Sequence, residues 1–89
     1  MQFMMTYEIP MDRRDAAVAR FLETGAPAPD GVAILGRWHV AGGRAGYMIV
    51  ESEDVSAVYR FALQWDDVCE LDVTPVLSDA QAASVLSNL

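Results

Sequence analysis

V-S-A-V-Y-R-F-A-L-Q-W-D-D-V-C-E-L-D-V-T-P-V, residues Val55 to Val76, changes its period halfway along. In the first half Val55, Val58, Ala62 and Trp65 recur at spacings of three and four, which draws one face of a helix over residues 55–66. In the second half Cys69, Leu71 and Val73 alternate with Glu70, Asp72 and Thr74, the period of a strand over 68–76. A helix that runs straight into a strand lies on a sheet, and the strand returns beneath it. The rest of the chain reads as what that unit packs against.

Upstream, Gln2 to Ile9 reads as a central strand, with Phe3, Met5 and Tyr7 on one face and Met4, Thr6 and Glu8 on the other. Pro10 ends it. Asp12 is placed to cap a helix over 13–24, whose buried stripe is Ala17, Val18, Phe21 and Leu22, and Gly25 is placed for the left-handed residue past its end. A-P-A-P-D-G (26–31) is a stiff turn. Val32 to Val40 is a strand of ambiguous parity, since Ile34 and Leu35 are equally apolar. A-G-G-R-A-G (41–46) closes a hairpin into a strand over 46–51. It is no phosphate cradle, because neither a helix start nor Lys-Ser/Thr follows. Asp54 is the expected cap of the second helix. Ser78-Asp79-Ala80-Gln81 fits a capping box that opens a short helix to about Asn88, with Ala82, Val85, Leu86 and Leu89 on its apolar side.

The order β-α-β-β-α-β plus a short C-terminal helix is the ferredoxin-like α+β arrangement, with an antiparallel sheet in the order 4-1-3-2 and both helices on one face. At 89 residues it is a single domain, 1–89, one that buries only about 60–65% of its unfolded surface. An uncovered sheet face and a 53% hydrophobic composition together call for a second copy, sheet against sheet, as in a dimeric α+β barrel. The C-terminal helix either clasps the partner or folds back on its own subunit.

Thirteen acids face six bases, for a net charge of −7. That balance argues against nucleic acid and against anionic membrane surfaces, both of which need a basic footprint. No run reaches the ~18 apolar residues of a membrane span. The N-terminal segment lacks the basic start of a signal peptide, and a lone Cys69 fits a reducing cytoplasm. The expectation is a cytoplasmic homodimer.

Several short motifs stand in order along the chain: Phe3-Met4, Arg20-Phe21 with Gly25, Pro29-x-Gly31-Val32, Trp38, Glu51 before Asp54, and Trp65-x-Asp67 leading to Pro75-Val76. Together, over residues 3 to 77, they resemble DUF3303, a family of small bacterial proteins. The resemblance implies a ferredoxin-like fold of the dimeric α+β barrel kind and implies no activity. Arg37, His39 and Tyr7 depart from what many relatives carry at those positions.

His39 is the only histidine and the only side chain whose ordinary pKa lies near neutrality, so it is the candidate for catalytic proton transfer. Tyr7, Arg37, Trp38, Glu70 and Asp72 are the candidate ligand-binding residues. Glu70 and Asp72, ~7 Å apart along a strand, are natural partners for Arg37 and His39. That pairing places the candidate site on the helix-free face, inside the dimer barrel, with Trp38 under a helix or closing an end of the barrel. With one histidine and one cysteine, no metal or cofactor is expected. The bland readings stand beside these: His39 half in water at a strand end, the two acids solvated on an edge strand, Trp65 in the core, and Cys69 buried and inert. No Ser/His/Asp or Cys/His set, P-loop or dinucleotide fingerprint is present. Three functions follow: a homodimeric module binding a small ligand; a cofactor-free enzyme of isomerase or monooxygenase type using His39 or an acid; or a structural dimer without ligand.

Overall fold

The computed structural model describes residues 1–89. Its regular elements are β1 (Gln2–Glu8), α1 (Arg14–Thr24), β2 (Ala33–His39), β3 (Ala45–Glu51), α2 (Val55–Leu63), β4 (Glu70–Val76) and α3 (Asp79–Leu86). The four strands form one antiparallel sheet in the order β2-β3-β1-β4, the expected 4-1-3-2 order read from the other edge. This is the α+β ferredoxin-like fold.

Register assigns the faces. Phe3, Met5 and Tyr7 of β1 stand opposite Val50, Met48 and Gly46 of β3 and opposite Pro75, Val73 and Leu71 of β4. That face carries the helices. Val58 and Phe61 of α2 join Phe3, Met5, Met48 and Val50 in the main core, and Ala17 of α1 packs with Val68 and Cys69 in a second, smaller cluster. Pro75 is tolerated because β4 is an edge strand, where a missing N–H breaks no inner ladder.

Strand β2 is the exception to simple alternation. Its pairing with β3 slips between Ile34 and Gly36, a β-bulge with Leu35 as the extra residue. Ile34 opposite Val50 faces the helices, and so do Arg37 opposite Met48 and His39 opposite Gly46. A regular strand would have put Ile34 and Arg37 on opposite faces. The bulge lets one apolar and two polar residues share the helix side, and it is why parity could not be read from alternation.

The ends of the helices follow local chemistry. Gly25 adopts φ 73° and closes α1 with a bond from its N–H to the Phe21 carbonyl. The Asp54 carboxylate accepts from the Ser56 N–H at 2.9 Å, and Ser78 with Gln81 forms the complete capping box. Asp12 is not the cap of α1. Pro10 starts a single 3-10 turn over Met11–Arg13, and α1 begins behind it without a side-chain cap.

The helix-free face holds Met4, Leu35, Trp38 and Tyr47, all exposed. Gly36 lies beneath the Trp38 indole, which occupies the space a Cβ would need. Helix α3 buries none of its residues, and Val85, Leu86 and Leu89 are open.

Candidate functional site

Helix α1 buries one residue, Ala17, whereas the shorter α2 buries Ala57, Val58 and Phe61. Leu22, expected in the buried stripe of α1, is 77% exposed. Two sets of polar contacts hold this helix above the sheet. On one side the Arg20 guanidinium donates to both carboxylate oxygens of Asp67 at 2.8 and 2.7 Å and to the Gln64 carbonyl at 2.9 Å, with Trp65 5.3 Å beneath it. Arg13 adds a bond to the Asp67 carbonyl. The Arg20 pair holds the Asp67 carboxyl below the usual carboxylate range. On the other side Arg37 reaches from β2 to the end of α1 and donates to the carbonyls of Ala26 at 2.8 Å and Gly25 at 3.0 Å.

Between these tethers lies a cavity of about 240 Å³. Met5, Ala17, Met48, Phe61 and Cys69 form its buried floor, while Leu22, His39 and Gly43 stand at the exposed rim. Its lining contains no aspartate or glutamate, and its principal polar groups are those of Tyr7, Arg37 and His39.

These three come from separate places in the sequence and meet through one glycine. Gly46 of β3 sits between Tyr7 on β1 and His39 on β2, and a Cβ there would collide with the tyrosine ring. Without that Cβ, the Tyr7 hydroxyl crosses above the strand and meets His39 Nδ1 at 2.6 Å. Burial raises the Tyr7 pKa, nearby Cys69 adds to the rise, and Arg37 opposes it. The phenol therefore stays protonated at neutral pH, with its one proton available to His39 Nδ1. His39 also packs edge-on against Phe21, with ring centroids 5.4 Å apart, and the Arg37 guanidinium lies 5.5 Å above the same ring. Burial likewise pushes the Cys69 thiol up, keeping it neutral.

The structure thus brings Tyr7, Arg37 and His39 together, but on the helix side of the sheet and not on the helix-free face where the sequence reading placed them. Glu70, Asp72 and Trp38 point to the opposite face. The expected pairing of the acids with Arg37 and His39 is therefore corrected. The parity of β4 was read correctly, and the cavity lies under α1, between sheet and helix. Phe21, Met48, Cys69 and Gly46 belong to the site and were missed as such. A usable signal lay in Gly46, a glycine in a strand whose neighbours on both sides are polar aromatic rings.

No curated protein matches the chain. Among solved structures, Rv0793 from Mycobacterium tuberculosis superposes with a TM-score of 0.50 at 14% identity, covering 89% of this chain and 97% of its own. MupZ from Pseudomonas fluorescens gives 0.42 at 17% identity, covering 99% of this chain and 79% of its own. At such identities the likeness to Rv0793 speaks for the fold alone. The family model of the domain of unknown function DUF3303 matches residues 1–89, and the chain belongs to that family.

Proposed function

We propose that this domain is a homodimeric module that binds a small, largely apolar molecule in the cavity under α1. The observation that carries the reading is the cavity itself: about 240 Å³, an apolar floor, and a few polar groups gathered toward one side. An apolar cavity of about 150 Å³ is enough to hold benzene, so this one has space for a second fused ring. The exposed Met4, Leu35, Trp38 and Tyr47 support a second copy against the helix-free face. The free thiol of Cys69 fits a reducing, cytoplasmic setting.

The test is an NMR titration with naphthalene-2-carboxamide. Binding should shift the Met5 and Met48 methyl groups, and Val18→Phe, which fills the cavity from α1, should abolish those shifts while leaving the fold intact. Unchanged methyl shifts would remove the reading. Sedimentation equilibrium should show a dimer at micromolar concentration that Trp38→Arg dissociates, and a wild-type monomer would refute the dimer.

A second reading has its own support. The Tyr7–His39 hydrogen bond at the cavity is a ready proton relay, and it favours a cofactor-free enzyme in which His39 moves the proton. Turnover lost in both Tyr7→Phe and His39→Gln, with the carboxamide still bound, would favour it over simple binding.

A further inference from the structure

We infer that the cavity selects an anionic ligand, a fused-ring or substituted aromatic carboxylate of about its volume, with Arg37 as the counter-charge. The inference rests on the cavity being a binding site and adds to it the sign of the ligand's charge.

Three observations carry it. First, Arg37 is the one formal charge in the lining, in a chain whose net charge is −7. The acidity of the protein lies elsewhere, and the acids of β4 face the far side of the sheet. Second, Arg37 has no carboxylate partner. Arg14 and Arg20 form ion pairs with Asp15 and Asp67, whereas Arg37 donates to the main-chain carbonyls of Gly25 and Ala26. Those carbonyls orient the guanidinium without neutralising it, and they use two of its five N–H groups. Third, the groups beside it suit an anion. The Tyr7 hydroxyl gives its one proton to His39 Nδ1, which leaves the imidazole's Nε2–H as a second donor beside the guanidinium, and Phe21 lines the same cavity.

A half-buried guanidinium against an apolar wall, already fixed in orientation, meets a carboxylate with little further loss of side-chain freedom. A neutral ligand of the same shape would fill the same space and leave the charge unanswered.

The experiment compares naphthalene-2-carboxylate with naphthalene-2-carboxamide, matched in shape and differing in charge, by isothermal titration of the full chain. The carboxylate should bind at least about tenfold more tightly, the scale of one charge-assisted hydrogen bond. That ratio should shrink at high salt as the ion pair is screened. Arg37→Lys should keep most of the preference and Arg37→Gln should bring the ratio close to one. If Arg37→Gln does not fold, the salt dependence of the wild-type ratio decides. Equal affinities, or a preference for the amide, would overturn the anion assignment and leave the cavity reading standing. Failure of both compounds to bind would overturn both.

Discussion

Helices α1 and α2 lie on the same face of the same sheet and are held there by different forces. Helix α2 is seated by packing, with Val58 and Phe61 sunk among Phe3, Met5, Met48 and Val50. Helix α1 is held at its ends and middle by arginines: Arg20 and Arg13 to the turn after α2, and Arg37 to the residues that follow α1. Apolar burial fills space, because its gain scales with the surface removed from water. Arginines hold at a distance, because a long side chain bonds its partner without drawing the two backbones into contact. The tight half supplies the core, and the suspended half leaves the cavity.

The largest test of that contrast is a pair of truncations. Phe61→Ala should cost about 3–5 kcal/mol, a large fraction of the stability of so small a domain. Phe21→Ala, on the cavity side of α1, should cost less than half as much, because Phe21 is only half-buried whereas Phe61 is sunk in the core. Urea unfolding of the two variants gives the comparison directly. Equal losses would mean that α1 is packed as α2 is.

A smaller effect is expected at Gly46. Gly46→Ala pushes a methyl group into the Tyr7 ring and should cost ~1–3 kcal/mol, as overpacking does. It should also break the Tyr7–His39 bond. The nitrogen-15 shift of His39 Nδ1 in this variant should then match that in Tyr7→Phe. A shift unchanged from wild type would show that the glycine is not what lets the two rings meet.

The smallest effects are in the pH dependence, where the ionic tether of α1 and the buried groups beneath that helix separate on opposite flanks. The folded-state pKa of Asp67 is lowered by Arg20, so its contribution is complete above the unfolded value. It is lost as pH falls through the folded one. Asp67→Asn should reduce the loss of stability on the acid side. The pKa values of Cys69 and Tyr7 are raised chiefly by burial, so their contributions hold below their unfolded values and fade as pH rises through the folded ones. Cys69→Ser should flatten the alkaline flank and leave the acid flank alone. Melting temperatures across the pH range read both, and a swapped or shared response would break the assignment.

Much of the fold was legible because period is a local property. The switch from 3.6 to 2 between Val55 and Val76, the alternation in β1 and β4, and the Ser78–Gln81 box needed only near neighbours. The candidate site was legible in its residues, Tyr7, Arg37 and His39, and not in its location. Alternation assigns faces only in a regular strand, and the bulge at Leu35 breaks the count between Ile34 and Arg37. The hydrophobic stripe of α1 tells which side of the helix turns inward and is silent on how far the helix stands from the sheet. That distance is set by Arg20 meeting Asp67, 47 residues away, and by Arg37 meeting Gly25 and Ala26, contacts that no local pattern announces.

The bulge also gives β2 an unequal tolerance to lost codons. A three-base deletion that removes Leu35 takes out the one residue without a partner in the ladder. Ile34, Arg37 and His39 then keep their faces, and the strand simply straightens. The same deletion placed at Trp38 would carry His39 to the opposite face of the sheet, away from Tyr7. Reading-frame-preserving lesions three residues apart thus have opposite outcomes, one sparing the polar wall of the cavity and the other dismantling it.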